Sequence, residues 1–522
     1  MTDESAEYTV AQRWIILVAV MLGTILQVLD TSIVNVAIPQ MMGNLGASIS
    51  EIGWVSTSYI ISNVIFLAMS GWLSAFFGRR RYLTYSIILF TASSFMCGTA
   101  HSLNALVAYR VLQGIGGAAL LSTAQAVLME IFPRSQLGPV QAIYTIGVVV
   151  APTVGPTVGG WITDNYNWPW IFFVNVPIGT VAAILVWNFL RDSRYEVTDK
   201  KRIDILGIGL LAIGLGSLQT VLEKGNEEGW FQSNLIIGFG LAAFFALLIF
   251  VWWELTTPSP VVNLRVLRNR GYTAGIVFAT VLGFGLYGGV FILPIFLQEI
   301  RGFTPTETGF LLFPGGLATM LTLPILGKIV GKVSPVPLVA LGAVTLIVSM
   351  LMLSSLTNQT GAEQVYLALI VRGASLGCLF LPLTLATLTG LRPDEMAGGT
   401  GLFNLARQLG GSTGIAFLTT LLAHDVTLHR AALANNITNY NPWWGQRQLL
   451  FGELFQLHGS VGQVQYQQSL QAMNYIVARE SAVLAYCDGF RSIAIAFLVA
   501  LPLVFLFQRG KAAIAHPAPA MD

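Results

Sequence analysis

Charge is what this sequence has least of. Only 10% of its 522 residues are Asp, Glu, Lys or Arg, against roughly 25% in a soluble domain. A water-soluble globular fold is thereby excluded. The charges nearly cancel, to a net +2, which leaves no basic face for nucleic acid. Cysteine is scarce too. Cys97, Cys378 and Cys487 lie far apart, so neither a disulfide framework nor a zinc site is supported. The five histidines (His101, His424, His429, His458, His516) stand singly, with no H-E-x-x-H spacing, and no metal site is expected. No G-x-x-x-x-G-K-[ST] loop appears, so ATP is not the evident energy source. Gly283, Gly285 and Gly288 match a dinucleotide fingerprint, but inside an apolar run with no strand before it. No cofactor is expected.

What is present is apolar length. Hydrophobic residues make up 54% of the chain and mean hydropathy is +0.70. A helix needs about 20 apolar residues to cross the hydrocarbon. That window predicts fourteen membrane helices, near 14–36, 52–74, 82–100, 105–127, 139–161, 170–190, 204–223, 235–255, 273–297, 307–327, 336–356, 364–390, 400–422 and 488–508. The run that follows the polar stretch Met1–Arg13 lacks a small-residue cleavage site, so it reads as a retained first span. The fold class expected is therefore all-α and integral to a membrane.

The sparse positive charge orients these helices. With the N-terminus in the cytoplasm, one side receives Arg13, Arg79–Arg80–Arg81, Arg134, Arg191, Arg194, Lys200–Lys201–Arg202, Arg265, Arg268, Arg270, Lys328, Lys332, Arg392, Arg509 and Lys511. Short loops on the other side hold only Lys224 and Arg301, which makes eighteen against two. The positive-inside rule then places both termini in the cytoplasm, with an even span number, in the cytoplasmic (inner) membrane. Residues 424–487 fall outside as a long polar loop. Within it Leu450, Leu454 and Leu457, then Leu470, Met473, Val477 and Leu484, recur at helical spacing. Two short amphipathic helices are predicted there, serving as a packed cap or as a docking surface for another protein.

Repetition is faint but ordered. Tyr109 to Gly114 in the fourth span resembles Leu369 to Gly373 in the twelfth, with Gln113 set against Arg372 and Gly114 against Gly373. A duplicated six-helix unit leaves such a trace, here with two helices inserted between the halves. The division expected is 1–190 as an N-terminal bundle, 191–270 as the inserted pair with its linkers, and 271–522 as the C-terminal bundle. Between the second and third spans, Gly71 and Gly78 permit tight turning, and Arg79, Arg80 and Arg81 anchor the loop. The fifth span carries Gly147, Ala151, Gly155 and Gly159 every four places, with Gly160 beside the last. Such a face lets a neighbour approach closely, while Pro152 and Pro156 break the helix.

Together the Gly71–Arg81 loop, Arg110 with Gln113–Gly114, and Gly155–Pro156 with Gly159–Gly160 resemble the signature motifs of the major facilitator superfamily. Leu29–Pro39 (LDTSIVNVAIP), Trp170–Gly179 (WIFFVNVPIG) and Asn404–Ser412 (NLARQLGGS) are similar to the fourteen-span drug:proton antiporter-2 family, and within it to EmrB-type multidrug exporters. The resemblance runs from the first span to the last. It implies the major facilitator fold and export of lipophilic drugs against inward proton flow, with antibiotic resistance as the outcome. It makes Pro152, Gly155, Pro156, Gly159 and Gly160 an antiporter motif, and Gly71, Gly78, Arg79 and Arg80 a cytoplasmic gating loop. It also implies a periplasmic adaptor protein and an outer-membrane channel as partners, met through 424–487. Ala75 stands where the family's loop often has Asp.

Ionisable groups inside the hydrocarbon are costly and so mark function. Asp30 is the acid placed well inside a span; Arg110, Arg372 and Arg407 are the bases. The helix ends predict Asp30 and Arg110 at one depth, about 9 Å below the outer boundary at about 1.5 Å per residue. They form the expected proton-coupling pair, the bland alternative being a structural ion pair. Gln113, Arg372, Asn404 and Arg407 are candidates for substrate contact or gating. A membrane enzyme would set two acids, a His–acid pair or a nucleophile and base at one depth, and no such set is found. The remaining alternatives are a proton-coupled importer, or an exporter of a specific metabolite or lipid-like compound. Other contacts expected are lipophilic substrates, protons and membrane lipids, without nucleic acid.

Overall fold

A computed structural model describes residues 8–133, 135–192, 203–330, 332–392, 395–435, 437 and 442–507. Of the residues used above, Arg134, Arg194, Lys200, Lys201, Arg202, Arg509, Lys511 and His516 lie outside these. Among the described residues there is no strand. A helix stands at each of the fourteen predicted places. They are α1 (Val10–Leu45), α2 (Trp54–Phe77), α3 (Arg79–Gly98), α4 (Leu103–Ile131), α5 (Leu137–Asn165), α6 (Trp170–Phe173 continuing as Asn175–Phe189), α7 (Ile205–Lys224), α8 (Asn234–Thr256), α9 (Arg270–Ile295), α10 (Pro305–Ile329), α11 (Pro335–Leu353), α12 (Ala362–Leu388), α13 (Met396–Ala434) and α14 (Gln463–Ala500).

By length and hydropathy alone, eleven can cross a membrane, or twelve with α5 taken as one bent span. The two others have identifiable polar content. Helix α3 opens on Arg79–Arg80–Arg81 and is rich in Ser and Thr, while α13 carries Asn404, Arg407 and Gln408. Helices α1–α6 pack among themselves, as do α9–α14, and α7 pairs with α8. The two groups meet where α5 lies along α10 and where α2 and α4 lie against α13. Gly71 of α2 marks how near they come: a Cβ built there would sit 2.5 Å from Gly398 Cα.

Span boundaries depart from the prediction at three long helices. Helix α1 continues to Leu45, through Pro39, and stops at Gly46, whose φ of +63° a glycine adopts without strain. Helix α13 runs on to Ala434, and α14 begins at Gln463 rather than near 488. Of the two predicted outer helices, Pro442–Leu457 exists. The second, around Leu470–Leu484, is the first part of α14. Backbone hydrogen bonding is satisfied within a helix whether or not lipid surrounds it, so nothing obliges a helix to end where its apolar run ends. His429 of α13 contacts Asp488 of α14 at 2.7 Å, and Arg430 donates to Asn474 at 2.9 Å, which ties the two extensions together.

Candidate functional site

Asp30 is fully buried at 0% exposure, a little past the middle of α1. Its carboxylate is held from two other helices. Arg110 Nη1 of α4 donates to Oδ2 at 2.5 Å, and Gln113 Nε2, one turn further on, donates to Oδ1 at 2.9 Å. Asn175 Nδ2 of α6 reaches the same Oδ1 at 3.3 Å. The spacing of three between Arg110 and Gln113 puts both on one helix face, and Arg110 Nη1 also donates to Gln113 Oε1 at 2.7 Å. Arg110 Nε donates to the Val55 carbonyl at 3.0 Å, and the ring of Tyr59 lies 4.2 Å from its guanidinium carbon. Behind Asn175, the Ser94 hydroxyl accepts from its Nδ2 at 3.0 Å and donates to the Phe172 carbonyl at 3.0 Å.

The predicted pair thus meets directly. Val36 is not the end of the first span, because α1 extends to Leu45, so the common depth of the pair is set by packing and not by the predicted helix ends. Gln113, predicted as a substrate or gating residue, is here a ligand of the Asp30 carboxylate. Asn175, Ser94 and Tyr59 were missed. Asn175 lay in a motif already singled out, but one amide in an apolar helix carries no signal for what it faces.

The small residues of α5 close on α1 at this same place. A Cβ on Gly155 would collide with the Ser32 hydroxyl, and one on Gly159 would sit 2.7 Å from Ile33 Cγ1. Gly160 lies looser, 3.8 Å from Val36 by the same construction. Between Leu137–Pro152 and Val154–Asn165 the helix bends by 48°, as expected where Pro152 and Pro156 remove backbone bonds. The bent helix therefore rests on the turn of α1 that carries Asp30.

At the end where α2 passes into α3, Gly78 takes φ +83°, and a Cβ there would lie 2.9 Å from Asp192 Oδ1. Arg79 forms a buried ion pair with Glu130 of α4. The Arg80 backbone N–H donates to Asp192 Oδ1 at 3.0 Å, and its guanidinium stacks on Trp187 at 4.5 Å. Glu130 and Asp192 thus supply carboxylates to a loop that has Ala75 where Asp is often found.

The remaining candidates lie in the second group of helices. Asn404 of α13 donates to Gln125 Oε1 of α4 at 2.8 Å, and Gln408 donates to Asn63 Oδ1 of α2 at 3.2 Å, so both bridge the two groups. Arg407, between them, is buried under the ring of Phe380 at 4.7 Å. Arg372 of α12 reaches only the Leu286 carbonyl of α9, at 3.4 Å. Neither arginine has a carboxylate partner among the described residues. No group of three His, Cys, Asp or Glu gathers among them either.

The Major Facilitator Superfamily model matches residues 20–415. Multidrug export protein EmrB of Escherichia coli K12 is 35% identical, over 95% of each chain. Its namesake in Haemophilus influenzae is 38% identical over 81% of this chain and 83% of its own. Fatty acid resistance protein FarB of Neisseria gonorrhoeae is 32% identical over 95% of this chain and 96% of its own. Among solved structures, the proton:xylose symporter XylE superposes with a TM-score of 0.59 at 16% identity, covering 96% of each chain.

Proposed function

From the premise that this chain belongs to the major facilitator superfamily, we propose that it is a proton-driven exporter of lipophilic drugs and toxic small molecules, with Asp30 as its coupling acid. The observation that carries this is a wholly buried carboxylate held by Arg110, Gln113 and Asn175 from two neighbouring helices. EmrB relatives at 35–38% identity support drug efflux as the activity. The domain division is that of the sequence, 1–190, 191–270 and 271–522. The chain lies in the cytoplasmic membrane with both termini in the cytoplasm, and the fourteen helices are all spans.

The chemistry is an exchange of partners. While Arg110 faces it, Asp30 is an ionised half of a neutral pair and has no need of a proton. When helix movement separates the two, an isolated carboxylate in this apolar interior is costly, and protonation removes the charge. Re-forming the pair expels the proton. Helix α5 is placed to link this to transport, because Gly155 and Gly159 press on the turn of α1 beside Asp30. One proton falling through 100 mV supplies about 2.3 kcal/mol, close to a fifty-fold gradient of a neutral drug.

The test is Asp30→Asn in inverted membrane vesicles. An acid-inside gradient should drive drug uptake by the unaltered protein. The variant should bind drug yet show no response to the gradient. Proton-driven uptake surviving in Asp30→Asn would remove Asp30 from the coupling role, and uptake driven by the opposite gradient would make the protein an importer.

The outer helix Pro442–Leu457 supports an adaptor contact. Trp443, Leu449, Leu450, Leu454 and Leu457 are all exposed on it, an apolar patch of the kind that marks an interaction site. We assign it to a periplasmic adaptor leading to an outer-membrane channel.

A further inference from the structure

We propose that Arg301 and Arg479 form a binding site for the phosphate of an anionic phospholipid, at the membrane boundary beside the end of α9. The inference needs only that these helices cross a membrane, and it stands or falls apart from the exporter reading.

Lys224 and Arg301 are the two bases that the charge count leaves in short outer loops. Lys224 has its own carboxylate, Glu227 at 2.7 Å, and the Trp54 ring 5.9 Å away. Arg301 has no such partner. The last turn of α9 widens into a π-turn, Phe296–Ile300, and Arg301 follows it. Its Nη1 donates to the carbonyl of Asn358, in the loop between α11 and α12. Arg479 of α14 comes to the same place from another helix, with Nη2 donating to the Ile300 carbonyl at 3.1 Å. Arg479 thus binds the residue next to Arg301.

Like charges brought to one turn repel, and an anion set against both relieves the cost. The acids beside them in the chain do not supply it. Glu480, next to Arg479, accepts from Asn358 Nδ2 at 3.2 Å, Glu307 accepts from the Thr304 N–H at 2.8 Å, and Glu299 is exposed. Among the described residues neither arginine has an ion pair. Each gives one of its five N–H groups to a carbonyl, and the Nε of both is buried without an acceptor. Both side chains are part-exposed, so a group outside the protein can reach their remaining donors.

What lies outside at this level is lipid headgroup. Arg301 and Asn358 follow closely on the apolar runs of α9 and α11, so the site sits at the surface of the hydrocarbon. Leu351 of α11, Phe310 of α10 and Leu484 of α14 are exposed on the helices that meet there, as side chains against lipid tails are. A planar guanidinium matches phosphate oxygens and keeps its charge at any working pH. Two uncompensated positive charges favour a headgroup with net negative charge over a zwitterionic one. A lipid bound here ties the end of α9 to α14.

The experiment measures lipid binding to the purified full-length chain by native mass spectrometry in detergent, with dioleoyl phosphatidylglycerol, dioleoyl phosphatidylcholine, dioleoylglycerol and inorganic phosphate as probes. Phosphatidylglycerol should bind at least about tenfold more tightly than dioleoylglycerol, which has the same tails and no phosphate, the scale of one charged hydrogen bond. Phosphatidylcholine should fall between them. Arg301→Gln combined with Arg479→Gln should erase the difference, while Lys224→Gln should leave it intact. Equal binding of phosphatidylglycerol and dioleoylglycerol by the unaltered chain overturns the proposal even if the double variant fails to fold. So does a preference that persists in the folded double variant, the result expected if the two arginines only cap α9. Inorganic phosphate binding as tightly as phosphatidylglycerol would make this a site for a free anion and overturn the lipid assignment. Binding is scored without transport, so failure of the exporter reading leaves this result unchanged.

Discussion

The two six-helix groups treat buried charge in opposite ways. In α1–α6 each deeply buried arginine has its carboxylate: Arg110 meets Asp30, and Arg79 meets Glu130. In α9–α14 Arg372 and Arg407 are as deeply buried, at 6% and 2% exposure, and have none among the described residues. The difference separates two uses of a costly group. A pair that can open and close handles a proton, because only the freed carboxylate needs one. A guanidinium with no carboxylate beside it cannot be silenced by losing its proton, so it remains a fixed positive charge.

Removing one member of a pair tests this contrast most severely. Arg110→Ala should strand Asp30 in the interior and cost about 3–5 kcal/mol. The double variant with Asp30→Asn should be milder for folding than Arg110→Ala and still fail to transport. Thermal unfolding in detergent, run beside proton-driven efflux, separates these outcomes. Strictly additive losses would mean that the two residues do not meet in the protein.

Arg407→Met is the matching change in the other group, with a smaller expected effect. It strands no carboxylate, so the change in stability should stay near about 1 kcal/mol in either direction, the ordinary scale of a point substitution. A loss as large as that of Arg110→Ala, measured by the same unfolding scan, would reveal a hidden partner and end the contrast.

The smallest effect on the fold is expected outside both groups. Deleting Pro442–Leu457 and closing the gap with a short Gly-Ser linker removes an exposed apolar helix and leaves α13 and α14 whole. Unfolding temperature and drug binding should hardly change, while resistance in a double-membraned host should disappear. Full resistance after the deletion would refute the adaptor contact. The obvious wider cut at 445–480 is unsuitable, because residues from Gln463 onward belong to α14.

Much of this was legible in the chain. A helix occupies each of the fourteen places that apolar length marked, and eleven or twelve of them are long and apolar enough to cross a bilayer. Asp30 and Arg110 could be paired by depth because both are anomalies in apolar runs. The extensions of α1, α13 and α14 could not be seen, because polar residues continue a helix as readily as they end one. Asn175 and Gln125 were hidden for a different reason. A neutral amide in a span has no unusual cost until its partner is known.

By itself, then, the sequence determined the class of solvent, the apolar core of most of the helices, and which charges must have a reason to be buried. Those follow from transfer costs that each residue pays locally. Only the tertiary structure decided that Asp30 gathers Arg110, Gln113 and Asn175, that Gly155 and Gly159 press against its turn, and that Arg407 meets aromatic rings and no carboxylate among the described residues. Those depend on which helix faces meet, and a helix presents the same apolar side to lipid as to another helix.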